Sequence, residues 1–173
     1  VEVRLREGVA PPNVRLGAGS SACGICGTDR IADVVARGGR IGSDAARALR
    51  HTVVTELPDR LRRAQSAFDR TGGLHAAGLF TLDGDPVCVR EDVGRHNAVD
   101  KVVGHAAAAG RLPLAGHGLL VSGRISFEIV QKALAARVPL VAALSAPSSL
   151  AVELARASGL ALVGFLRGRS FNA

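Results

Sequence analysis

Two cysteines stand three positions apart, in the run Cys23-Gly-Ile-Cys26-Gly27 on a stretch rich in glycine and serine. The thiolate is the reacting form of a cysteine, and glycine neighbours let a second sulfur approach it closely. Such a pair can exchange disulfides, carry a persulfide or supply two zinc ligands. Arg30 is near enough in sequence to help stabilise a thiolate. Zinc needs two further Cys or His ligands at suitable spacing, but the remaining cysteine, Cys88, falls inside a predicted strand and no second Cys-x-x-Cys occurs. Sulfur transfer is the favoured reading and no metal ligand is assigned; redox chemistry and a zinc-bound interaction module are the alternatives. A thioredoxin-like pair would open a helix after a strand; here a loop precedes the pair and Gly27 follows it. Cys88 reads as a core residue.

The next dense run is Arg90-Glu-Asp-Val-Gly-Arg-His-Asn97. It lies where a strand should give way to a helix, and a helix N-terminus beside a glycine suits an anion. Arg95 and His96 can add donors. The plainer alternative is an N-cap by Asp92 with solvated neighbours. Asp100 and Lys101 read as an ordinary surface pair. Ser122-Gly-Arg124 follows a buried strand, Ser145-Ala-Pro-Ser-Ser149 follows the next, and Arg167-Gly-Arg169 the one after. Ligands of open α/β sheets bind outside the carboxyl ends of strands, so these three polar loops are expected on one edge. His75, in Thr71-Gly-Gly-Leu-His75, either contacts a ligand or is hydrogen-bonded near a turn.

The elements that must position these groups are legible in outline. Val1 to Arg6 alternates like a half-buried strand. Gly17 to Gly27 is a loop, within a flexible cysteine segment of about residues 17–29. Ile31 to Val35 is a short strand or one helical turn, and Ser43 to Leu49 a short helix. Leu57 to Phe68 reads as a helix with Pro58 at an early position. Leu74 to Thr81 and Val87 to Arg90 read as strands joined by the hairpin turn Leu82-Asp-Gly-Asp-Pro86. Val93 to Ala109 is a long helix. Strands at 119–121, 140–144 and 160–165 then alternate with helices at 126–137 and 147–158. Continuous apolar strands suit a sheet covered on both faces. The expected fold is α/β: a mixed sheet flanked by helices, ending in a βαβαβ unit with right-handed crossovers. No linker separates two domains, so residues 1–173 form one.

Composition narrows the partners. Of 173 residues, 47% are hydrophobic and 3% aromatic, with no Trp or Tyr. Stacking on single-stranded nucleic acid is therefore not expected. The formal charge of +7 points to an anionic partner. No run reaches the ~18 apolar residues of a membrane span, and no signal peptide is evident. Three cysteines, one tight pair and one distant single, suit a reducing, cytoplasmic compartment.

Five runs, in order, resemble the FdhD family: Cys23-Gly-Ile-Cys26-Gly, Thr71-Gly-Gly-Leu-His75-Ala, Arg90 to Lys101, Ser122-Gly-Arg-Ile-Ser-Phe-Glu128 and Ser145 to Ala151. The resemblance implies a cytidine-deaminase-like fold and a sulfurtransferase of the persulfide-relay type, required for formate dehydrogenase activity. It implies that a cysteine desulfurase loads Cys23, with Cys26 as partner. The sulfur then passes to the molybdenum bis-guanine-dinucleotide cofactor, the bound substrate, before or during its insertion into formate dehydrogenase. The alternative is a cofactor-binding chaperone with no sulfur transfer. The resemblance also implies a homodimer and a guanine-nucleotide (GDP) site. That site takes in the segment Phe165, Leu166, Arg167, Gly168, Arg169 and Ser170, with His75, Arg95, His96, Ser122 and Arg124 added from the loops above. The resemblance further implies a family section N-terminal to this sequence, which the residues here are expected to lack. Deaminase chemistry is not expected: His75-Ala-Ala77 has no glutamate two residues on, and no Pro-Cys-x-x-Cys follows.

Overall fold

The computed structural model describes residues 31–41 and 50–173. The strand expected at Val1–Arg6, the cysteine loop at 17–29, with Cys23 and Cys26, and the helix expected at Ser43–Leu49 lie outside the described residues.

Among the described residues, six helices and six strands follow in the order α1 (Ile31–Gly38), α2 (His51–Arg63), α3 (Ser66–Thr71), β1 (His75–Thr81), β2 (Pro86–Asp92), α4 (Arg95–Ala108), β3 (His117–Val121), α5 (Phe127–Ala135), β4 (Leu140–Ala143), α6 (Ser149–Ser158), β5 (Ala161–Arg167) and β6 (Ser170–Asn172). The strands form one sheet in the order β2-β1-β3-β4-β5-β6. β3, β4 and β5 are parallel neighbours, which is the expected βαβαβ unit. β1 runs antiparallel to both β2 and β3, and β6 runs antiparallel to β5. The sheet is mixed, as the sequence led us to expect.

Side chains along a strand alternate between faces, and the core divides accordingly. Leu119, Val121, Val141 and Ala143 pack with α1, α4, α5 and α6 residues such as Val34, Val99, Ile129 and Leu154. Leu120, Leu140, Ala142 and Val163 face the other way, onto Val54, Leu57 and Leu61 of α2. Both faces are covered, which is why these strands are apolar throughout.

Three elements differ from the sequence-based expectation. Residues 31–38 form a helix of more than two turns: Ile31, Val34 and Val35 share the apolar face at helical spacing. The helix expected at Leu57–Phe68 instead begins at His51 and is followed by a separate short helix, with Pro58 inside α2. An interior proline costs about 3 kcal/mol. Val53, Val54, Leu57 and Leu61 are all buried, and burial of each is worth roughly 1.5–3 kcal/mol, so tertiary packing outweighs the proline. Pro86 heads edge strand β2, a position that tolerates a missing N–H. Strand β6 carried too short a pattern to be expected from sequence.

Candidate functional site

Parallel pairing puts the carboxyl ends of β3, β4 and β5 on one edge of the sheet, and the antiparallel β1 begins there with His75. The amino ends of α4, α5 and α6 follow from strands or turns on the same edge. The polar loops expected to converge therefore do share an edge.

The centre of that edge is built on the turn Ser122–Ser126. Its first residue is spent on the sheet: Ser122 Oγ accepts from the Ala76 N–H at 2.9 Å, and the Ser122 N–H donates to the Ala76 carbonyl at 2.9 Å. A Cβ at Gly123 would lie 3.2 Å from His75 Nδ1, 3.3 Å from its Cε1 and 3.5 Å from Arg95 Cδ. Only a residue without a side chain fits there without displacing the imidazole. His75, Gly123 and Arg95 thus come together, while Arg124 is exposed beside them. Ile125 forms a parallel bridge to Pro147 in the next turn, which ties the β3 and β4 loops together.

At the end of the turn, Ser126 Oγ and His96 Nε2 are hydrogen-bonded at 2.7 Å. The Glu128 carboxylate lies 3.8 Å from the same nitrogen. Ser126 and Glu128 are 4% and 5% exposed. Burial and the Arg95 charge push the His96 imidazole below its ordinary pKa, against the pull of Glu128. The ring is therefore neutral near pH 7. The trio has the residue types of a hydrolase triad without its geometry. Both partners sit at one ring nitrogen, and the serine is too buried to attack a substrate. Ser126 and Glu128 were not among the site residues expected from sequence. Both lie within the Ser122-Gly-Arg-Ile-Ser-Phe-Glu128 run that the sequence singled out, as polar residues on either side of apolar Phe127.

Several charged residues of the Arg90–Asn97 run are engaged by the fold. The Glu91 carboxylate accepts from the Ala67 and Phe68 N–H groups at 2.8 and 2.7 Å, capping α3 from a neighbouring strand. Asp92 accepts from the Gly94 N–H at 2.9 Å and pairs with Lys101 at 2.6 Å. Lys101 and Asp100 are thus not partners of each other: Asp100 pairs with Lys132 across the α4–α5 contact. The N-cap of α4 is Gly94, not Asp92. Arg95 and His96 are the residues of this run that reach the Ser122–Ser126 turn.

The segment Phe165–Ser170 lies farther along the same edge. Phe165 has φ 55° and is 46% exposed, an outlier for a bulky residue of the kind found at ligand sites. Its N–H donates to the Ser145 carbonyl at 3.1 Å. Arg167, Gly168 and Arg169 are exposed. Leu166 is fully buried among Val54, Leu120 and Ala142, so its side chain serves the core. The Ser170 hydroxyl donates to the Arg167 carbonyl at 3.3 Å and closes the turn.

Cys88 is buried, and burial pushes its thiol up, with Arg90 opposing. It stays protonated and inert, the core role expected of it. Among the described residues no helix is long and apolar enough to cross a membrane.

Comparison with known proteins places this architecture. The chain is 55% identical over 177 residues to the sulfur carrier protein FdhD of Streptomyces avermitilis, covering 99% of this chain and 62% of that one. It is 54% identical to the protein of the same name from Mycobacterium tuberculosis, covering 99% and 63%. With the Sulfolobus acidocaldarius sulfur carrier protein FdhD it shares 48% over 153 residues, covering 88% and 58%. The chain thus spans about three fifths of the length of the curated relatives it matches. A crystal structure described as a formate dehydrogenase accessory protein, from Desulfotalea psychrophila, superposes with a TM-score of 0.65 at 31% identity, covering 72% of this chain and 52% of that one. The FdhD/NarQ family model matches residues 1–173, and the chain belongs to that family.

Proposed function

We propose that this protein is a sulfur carrier that loads a persulfide on Cys23 and delivers it to the molybdenum bis-guanine-dinucleotide cofactor destined for formate dehydrogenase. The observation that carries the reading is that nearly the whole of this chain aligns, at about half identity, with some three fifths of relatives named sulfur carrier proteins. In the loading step the Cys23 thiolate attacks the terminal sulfur of a cysteine desulfurase persulfide. A new S–S bond forms at Cys23, the donor S–S bond breaks, and the donor leaves as a thiolate. No external oxidant is required. Cys26, three positions on in the sequence, takes the sulfur onward or resolves the persulfide. The cofactor is cargo, and its guanine-nucleotide ends are proposed to lie on the edge that carries His75, Arg95, His96, Ser122, Arg124 and residues 165–170. Arginine suits the phosphates, and half-exposed Phe165 suits a purine face. A homodimer working in the cytoplasm completes the proposal.

The test is intact mass after incubation with a cysteine desulfurase and cysteine. A reductant-sensitive gain of about 32 Da, one sulfur atom, is expected in the wild type and absent in Cys23→Ala, which still binds GDP. Wild-type protein that folds and binds GDP but gains no mass would instead favour a cofactor chaperone.

A further inference from the structure

Successive strand–turn–helix units of this sheet meet the ligand edge in the same way, and one residue breaks the likeness. The turns after β3 and β4 each end in a serine N-cap in extended backbone, Ser126 before α5 and Ser148 before α6. Ser148 does what a serine does there: its hydroxyl accepts from the Ala151 N–H at 3.2 Å. Ser126 does not cap α5. Its hydroxyl is held by His96 at 2.7 Å, and Glu128 stands behind the same ring nitrogen at 3.8 Å. A local rule broken at one of two matched positions marks a place where something other than stability set the geometry.

The first turn of α4 grips this loop twice. Arg95 lies against Gly123 near the start of the turn, and His96 holds Ser126 at its end. The stretch between them carries exposed Arg124. We propose that His96 is a positioning residue. It withholds Ser126 from the α5 cap and so fixes the Gly123–Arg124 turn in the conformation that receives an anionic ligand. The inference about the ligand rests on the nucleotide reading above; the inference about the serine does not.

The experiment uses wild type, His96→Ala, His96→Gln, Ser126→Ala and the His96/Ser126 double alanine variant. Cooperative unfolding of each is checked first. Amide hydrogen exchange is then read at Ile129, the donor that a capping Ser126 would take. GDP titration follows by calorimetry. In His96→Ala the freed serine caps α5, so exchange at Ile129 slows by about fivefold. That slowing is absent in Ser126→Ala and in the double variant, and His96→Gln, which can still hold the hydroxyl, behaves as wild type. GDP affinity falls about tenfold in each single alanine variant and no further in the double, because the two residues act as one unit. Unchanged or faster exchange in His96→Ala would overturn the proposal, since the serine would then not be withheld. Slowed exchange with undiminished GDP affinity would also overturn it, because the turn would not depend on the pin. Failure of the wild type to bind GDP would sink the nucleotide reading alone, and the exchange arm would then decide the fate of the pin.

Discussion

The Asp92 carboxylate takes hydrogen bonds from the Lys101 ammonium, the Gly94 N–H and the Asn97 amide, and these hold its pKa down at about 2. A carboxylate depressed on folding contributes stability that is full above its unfolded value of about 3.9 and is lost as pH falls through the folded value. Asp92→Asn should therefore melt below wild type at pH 7. The gap should stay constant down to about pH 4 and close toward about pH 2. Melting curves across that range check it; a gap that persists at pH 2 would show that the carboxylate charge is not what matters. At this scale the sequence is legible as residue type and not as role. The run from Arg90 to Asn97 looked like one ligand-binding constellation. Glu91 faces α3 and Asp92 faces Lys101, because the register of β2 and the start of α4 aim each side chain differently. Spacing along a chain cannot show that.

At the scale of elements, α1 follows the cysteine segment in sequence, and the chain just after α1 is docked on the end of α6. The Ile41 N–H donates to the Ser158 carbonyl at 2.8 Å, joining the chain after α1 to the end of α6. Gly159 makes the contact possible: it has φ 74°, and a Cβ there would lie 2.6 Å from the Ile41 carbonyl oxygen. Gly159→Ala combines left-handed strain with a backbone clash, each of order 1–3 kcal/mol. It should lower unfolding stability by about 2–4 kcal/mol in denaturant titrations. It should also slow sulfur loading at Cys23, measured by intact mass at matched folded fraction. Stability within 0.5 kcal/mol of wild type, the usual range for an inconsequential surface change, would mean that α1 is not seated there. The helices of the C-terminal half were legible from periodicity because they bury one face against a sheet of known direction. The start of α2 was not, because Pro58 argues locally for a boundary that four buried side chains override.

Across the whole molecule, the formal charge of +7 becomes informative only when the fold sorts it. Arg60 is bonded to Glu56, Asp85 and the Gly84 carbonyl, and Arg137 to the Gly38 carbonyl. Arg124, Arg167 and Arg169 are exposed along the strand-end edge. If that edge takes nucleotide phosphates, Arg167→Ala/Arg169→Ala should weaken GDP binding at least about tenfold, the loss of one or two charge-assisted hydrogen bonds. The melting temperature should stay unchanged, and the salt dependence of binding should become shallower. Equal affinity in wild type and variant, by calorimetry at two ionic strengths, would remove this turn from the site.

The sequence by itself determined the alternating strands and helices from residue 117 onward, the mixed character of the sheet and the family. These follow from local periodicity, turn residues and short contiguous motifs, all written within a few positions of one another. Only the tertiary structure decided which polar residues meet. His75 and Gly123 come together through the pairing of β1 with β3, and His96, Ser126 and Glu128 through the packing of α4 against α5. Such contacts join residues far apart in the chain, and no local pattern encodes them. They depend on the strand register, which the whole core sets at once.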